Sequence, residues 1–136
     1  MTREERRLVR ASFEAVREQA GPVALLFYGR LFELEPSARR LFHNDLAMQS
    51  KKIMDTLDWV TTSLDDLAAA GPRLAELGRQ HAGYGVRPEQ YDAVTAALLW
   101  ALAQAIGPDF DRPIREAWQA ALGAVSAAMK EGAAQA

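Results

Sequence analysis

Six prolines divide this chain, and their placement constrains its fold more than any other feature. They stand at Pro22, Pro36, Pro72, Pro88, Pro108 and Pro113, three of them directly after Gly21, Gly71 and Gly107. Proline is tolerated in the first turn of a helix and disrupts an interior, so each position reads as the start of a helix. The segments between are rich in Ala, Leu, Glu, Arg and Gln, which are strong helix formers. No run alternates apolar and polar residues as a half-buried strand would. The chain is therefore expected to be all-α, with amphipathic helices and short loops. There is no internal repeat, and only an Ala-rich tail from Gly132 is expected to fray.

Apolar spacing places the helices. The first is expected to start near Thr2, since Thr2 and Glu5 have capping-box spacing, and to carry Val9, Phe13 and Val16 on one face. The second is expected from about Pro22 to Leu34, with Leu25, Tyr28, Leu31 and Phe32 near one side. A short turn of helix follows Pro36 and ends near Phe42. The next helix is read from about Asp45 to Ala69, where Leu46, Ile53, Leu57, Val60 and Leu64 mark a face. After Gly71-Pro72 a shorter helix carries Leu74, Leu77 and His81. Another, from Pro88 to Ile106, carries Tyr91, Val94, Leu98 and Leu102. The last, from about Asp111, carries Ile114, Trp118, Leu122, Val125 and Met129.

Length and composition exclude several classes. The 136 residues make one domain, 1–136. The net charge of −2 argues against nucleic acid as a partner, because phosphate binding needs clustered positive charge. With no cysteine, the chain has no disulfide, thiolate nucleophile or iron–sulfur site, which fits a reducing, cytoplasmic setting. With only His43 and His81, no site of several histidines can form within one chain. The start, MTREERRLVR, lacks the apolar region of a signal peptide. The longest apolar region, Ala93–Ile106, is interrupted by Thr95 and Gln104 and is too short for a membrane span, so no membrane partner is expected. The run Arg3–Arg7, with its two glutamates, reads as a solvated helix end.

Two groups of residues could carry chemistry. His81 lies four residues after Leu77 and seven after Leu74, which puts it on a buried helix face. A buried imidazole needs a hydrogen-bond partner or a metal. A core histidine bonded to a carbonyl is the simpler reading of that spacing. The following sequence, GRQHAGYGVRPEQY, ends the helix just after His81 and leaves the ring near a crevice lined by Val86 and Tyr91. The second group is Tyr28, Pro36, Phe42 and Gln49. Tyr28 and Gln49 are polar yet share helix faces with apolar neighbours, and Gln49 stands one turn before Ile53. Taken singly, Tyr28 would cap a carbonyl and Gln49 would be a boundary residue. His43, beside Asn44 and Asp45, reads as a solvated loop residue. Trp59, Trp100 and Trp118 read as packing residues.

Taken together these pieces resemble the globins, and most closely the bacterial single-domain haemoglobins and the globin part of flavohaemoglobins. The matching stretches are LLFYGRLFELEPSARRLF at 25–42, QSKKIM at 49–54, LGRQHAGYGVRPEQYDAV at 77–94 and the segment through EAW at 116–118. The six-residue step from Pro36 to Phe42 and the four-residue step from Leu77 to His81 are specific features of that family. The resemblance implies a globin fold of about seven helices around a haem pocket, with the helix between Phe42 and Gln49 short or missing. It implies haem b, with His81 as the iron ligand and Phe42 against the haem face. Gln49 would be the distal polar residue, Ile53 the apolar residue shaping the cavity, and Tyr28 would point into it. Lys52 would reach a propionate, and Leu77, Val86 and Tyr91 would pack on the proximal side.

A neutral imidazole is a good ligand for haem iron when its other nitrogen is held. A phenol and an amide can both donate to the negative charge that dioxygen acquires on ferrous iron. The resemblance thus implies reversible dioxygen binding, and the same site could dioxygenate nitric oxide. The chain has no room for a flavin or nicotinamide domain, so that reaction would need a separate reductase, and whether the protein is an enzyme stays open. In flavohaemoglobins a glutamate joins a tyrosine in bonding the proximal histidine; Tyr91 fits that tyrosine, but the glutamate would fall near Ala133, with Glu131 out of register. The competing readings are a haem-free signalling or interaction module and a haem-based gas sensor. A monomer or weak dimer is expected.

Overall fold

The computed structural model describes residues 1–41 and 46–134, with the side chains at 20 and 46–48 left aside. Within them the chain forms α1 (Arg3–Val16), α2 (Ala20–Leu34), α3 (Leu46–Thr62), α4 (Leu67–Gly83), α5 (Gln90–Ile106) and α6 (Arg112–Ala134). The 3-10 segment Pro36–Leu41 brings the helices to seven, and three shorter 3-10 turns complete the connections. No strand occurs among the described residues. The expected all-α architecture is present. The shortened link between Phe42 and Gln49 lies partly outside the described residues, and α3 is already helical at Leu46.

Local chemistry sets most boundaries. Thr2 and Glu5 close the expected capping box, the Glu5 amide donating to Thr2 Oγ1 at 3.0 Å and the Thr2 amide to Glu5 Oε1 at 2.8 Å. The helix expected from Asp45 to Ala69 is instead two helices. Thr62 Oγ1 and Ser63 Oγ both donate to the Trp59 carbonyl, at 2.9 and 2.8 Å, and the Ser63 amide donates there too at 3.0 Å. Side-chain hydroxyls that compete for a helix carbonyl weaken its continuation, and α3 ends there. Asp66 then caps α4 by accepting from the Ala69 amide at 3.1 Å. The helix expected to follow Pro72 therefore starts at Leu67. It takes Pro72 into its second turn, which removes the intrahelical donor for the Ala68 carbonyl.

The main core is built from α1, α2, α3, α5 and α6 around Trp118, which is 0% exposed. Its indole N–H donates to Ser12 Oγ at 2.8 Å, and that hydroxyl donates to the Leu8 carbonyl at 2.7 Å. A buried indole N–H left unpaired would cost about 1–3 kcal/mol, so Ser12 is part of the core. Leu25, expected on the buried side of α2, is 66% exposed. The buried stripe of α2 is Val23, Ala24, Phe27, Tyr28 and Leu31, and Leu25 points roughly 120° from its centre at 100° per residue.

α4 packs most extensively on α6. The contact is backbone against backbone. A Cβ on Gly78 would lie 1.9 Å from the Met129 carbonyl oxygen, and one on Gly132 would lie 2.2 Å from the Ala75 carbonyl oxygen. Only glycine allows that approach. The tail expected to fray from Gly132 is thus helical through Ala134, with Gly132 buried against α4.

We expect Gly78→Ala to destabilise the fold by about 1–3 kcal/mol in urea unfolding, despite the gain of about 1 kcal/mol in helix propensity. Gly123→Ala, where a Cβ meets nothing within 4 Å, should be neutral or stabilising.

Candidate functional site

His81 sits in the last turn of α4 and is half-buried. Its Nδ1 lies 2.6 Å from the Leu77 carbonyl oxygen, one turn back. A carbonyl only accepts, so Nδ1 carries the proton and donates it. When the ring is neutral this is the Nδ1–H tautomer, with the lone pair on Nε2. Nε2 makes no hydrogen bond to a described residue.

The turn after α4 is tied to the same residue. The Val86 amide donates to the His81 carbonyl at 3.0 Å and the Tyr84 amide at 3.1 Å. The reversal needs Gly85, whose φ of 98° lies in the region disfavoured for other residues. Val86 is half-buried there, and the Tyr84 ring lies 6.2 Å from that of His81.

Gln90 was missed in the sequence. It is 4% exposed, and its amide joins two loops. The Arg87 amide donates to Gln90 Oε1 at 2.8 Å, and Gln90 Nε2 donates to Ser37 Oγ at 3.2 Å. Ser37 Oγ in turn donates to the Glu35 carboxylate. The turn bearing Val86 is thus bound to the Pro36–Leu41 helix, which leads directly into Phe42. The available signal was a glutamine three residues after Arg87 at a Pro-initiated helix start, the glutamine half of a capping box.

Tyr91, in the first turn of α5, is buried. Its hydroxyl is buried and has no hydrogen-bond partner among the described residues, and burial raises its ionisation above the usual phenol value. The tyrosine–histidine bond that the resemblance implies is not formed, and His81 Nδ1 is already engaged by Leu77. Glu131 is exposed. The charge facing Tyr91 is Lys130, whose Nζ lies 5.7 Å from the ring centroid and 3.9 Å from the Asp92 carboxylate.

On the other side, Tyr28 is 3% exposed in α2, between Phe27 at 5.0 Å and Phe32 at 6.1 Å. Burial pushes its phenol up to about 12. Gln49 and Ile53 are half-buried on α3, one turn apart, and Ile53 packs against the core cluster that includes Tyr28. Lys52 is exposed beside them. Phe42 and His43 lie outside the described residues. The structure therefore groups His81 with Leu77 and Val86, and sets Ile53 against the core cluster to which Tyr28 belongs. No cluster of three or more His, Asp or Glu able to hold a metal occurs among the described residues, and none of the described helices is long and apolar enough to cross a membrane.

The chain is similar to known proteins along nearly its whole length. The family model described as Globin matches residues 25–129. Neuroglobin-1 of Oncorhynchus mykiss is 31% identical, covering 97% of this chain and 92% of the relative. A neuroglobin of Chaenocephalus aceratus is 30% identical with the same coverage. Among solved structures, an engineered carbene transferase made from a candidate nitric oxide dioxygenase of Rhodothermus marinus superposes with a TM-score of 0.88. It is 27% identical and covers 99% of this chain and 94% of that one.

The raised Tyr28 phenol gives a signed pH dependence. Between the ordinary value of 10.0 and about 12, the unfolded chain loses this proton and the folded chain keeps it. Its contribution is full below the ordinary value and is lost as pH rises through about 12. Urea midpoints followed across this range should fall less steeply in Tyr28→Phe than in the parent protein; equal slopes would remove Tyr28 as the source.

Proposed function

The chain belongs to the globin family, and from that premise we propose that it binds haem b through His81 and takes up dioxygen reversibly beside Tyr28, Gln49 and Ile53. The observation that carries this reading is the 2.6 Å approach of His81 Nδ1 to the Leu77 carbonyl. In the neutral ring it leaves the lone pair on Nε2, which is the donor that haem iron takes from a protein. The second-shell carbonyl also sets the direction of the ring and its basicity.

When bound, haem supplies a ferrous iron able to take up diatomic gases. The residues around it then have separate tasks. Leu77 and Val86 hold His81, the first through its carbonyl and the second through its amide. Phe42 and Tyr91 are assigned to the apolar packing of the ring faces, and exposed Lys52 to a propionate at the edge. Ile53 would supply an apolar wall that keeps water from the bound gas, and Tyr28 Oη and Gln49 Nε2 would be the hydrogen-bond donors available to it.

Nitric oxide dioxygenation is the finer reading, and the similarity to the Rhodothermus marinus protein supports it. It requires one electron from a separate donor for each turnover. The proximal side favours the carrier activity. Tyr91 makes no bond to His81 and faces a cation, so nothing in that group draws the imidazole toward its anion.

His81→Ala should lose stable haem and its Soret absorption, and added imidazole should restore both. An unchanged Soret band without imidazole would refute the assignment. Tyr28→Phe removes only the hydroxyl. Loss of about 1.5–3 kcal/mol of hydrogen bonding should speed dioxygen release by roughly ten- to a hundredfold in stopped-flow measurements. Carbon monoxide release should change far less, and a Gln49→Leu, Tyr28→Phe pair should be non-additive. Equal effects on both gases would make Tyr28 a packing residue.

A further inference from the structure

The arginines at the start of α1 are not used by the site around His81. Arg3, Arg6, Arg7 and Arg10 stand at i, i+3, i+4 and i+7, which aligns them along one helix face. That face borders a cavity of about 640 Å³ lined by these four residues with Ala11 and Asp65. The cavity lies between α1 and the turn after α3, and no residue assigned to haem lines it.

Arg6 and Arg10 are held in place by their neighbours. Asp65 is shared between two of them, Oδ1 with Arg6 Nε at 3.3 Å and Oδ2 with Arg10 Nη2 at 2.9 Å. Arg6 Nη1 also donates to the Met1 carbonyl at 3.0 Å, and Arg10 Nε to the Thr61 carbonyl at 3.2 Å. Both side chains are only partly exposed, at 27% and 36%. Arg7 rests on Glu4, its Nε 2.9 Å from the carboxylate. Each guanidinium carries five N–H donors, so Arg6 and Arg10 each keep donors beyond those bonds. Four guanidiniums are thus set against two carboxylates, Asp65 in the lining and Glu4 on Arg7, in a chain whose net charge is −2.

We propose that this cleft binds a polyphosphate anion, a pyrophosphate or triphosphate group either free or carried by a nucleotide. Guanidinium forks match phosphate oxygens in geometry and charge. Arg3 and Arg10 are separated by roughly 10 Å along the helix axis, at 1.5 Å per residue. A single phosphate cannot meet both ends of such a row, and a chain of phosphates can. Asp65 fixes Arg6 and Arg10 before the ligand arrives, which lowers the ordering cost of binding.

Isothermal titration of the full-length protein with sodium pyrophosphate, inorganic triphosphate, orthophosphate and adenosine triphosphate tests the proposal. Pyrophosphate should bind once per chain and about tenfold or more tighter than orthophosphate, weakening with salt. Arg3→Gln combined with Arg7→Gln should weaken it by about tenfold or more, and both side chains are exposed, so the fold should survive. Arg112→Gln, an exposed arginine on α6, should leave it unchanged. Adenosine triphosphate binding tighter than inorganic triphosphate would assign the nucleotide as the source, and equal binding would assign the free chain. Absence of binding, equal affinity for orthophosphate, or a double variant that binds like the parent would overturn the proposal.

Discussion

The hydrogen bond from His81 Nδ1 to the Leu77 carbonyl is the interaction on which the functional account depends. It lies within one helix, so it forms wherever α4 forms. Where it is aimed depends on α6. Gly78 stands three residues before His81 and meets the Met129 carbonyl with no side chain between. Gly132 does the same against Ala75. The helix that carries His81 is therefore positioned by backbone contact, which has little slack. The carbonyl of His81 anchors the turn that follows, and Gln90 anchors that turn to the helix before Phe42.

The two sides of the proposed pocket differ in character. Tyr28 is buried among aromatic rings, where its neutral, proton-donating form is favoured well into alkaline conditions. Tyr91 is also buried, but its hydroxyl is unmatched among the described residues and its ring faces Lys130. A neutral imidazole held by a carbonyl suits reversible gas binding. An imidazole pulled toward its anion by a tyrosine and a carboxylate suits cleavage of an O–O bond, and that arrangement is not formed here.

Much of this was legible in the sequence where the physics is local. The capping box of Thr2 and Glu5 needs only helix spacing and is present, whereas the buried stripe of α4 runs through Ala70, Leu74 and Gly78 and leaves Leu77 and His81, expected on it, half-buried at its edge. The break at Ser63 was hidden because Val60 and Leu64 continue the apolar period across it, while the hydroxyls that end α3 leave no apolar mark. Leu25 was misplaced because its spacing to Tyr28 and Phe32 is helical, yet the packed stripe runs through Ala24 and Phe27. The Gly78 and Gly132 crossing and the bond from Gln90 to Ser37 join residues far apart in the chain, which no window of sequence can show. Phe42 lies outside the described residues, so its assignment rests on the resemblance alone.

The account's central claim is that a neutral His81, held by the Leu77 carbonyl, is the iron ligand. Resonance Raman spectroscopy of the reduced, haem-loaded protein tests it most directly. The account predicts an iron–histidine stretching band at the frequency of a neutral, carbonyl-bonded imidazole, abolished in His81→Ala. Absence of that band, or a band shifted up to the range of an imidazolate, would contradict it.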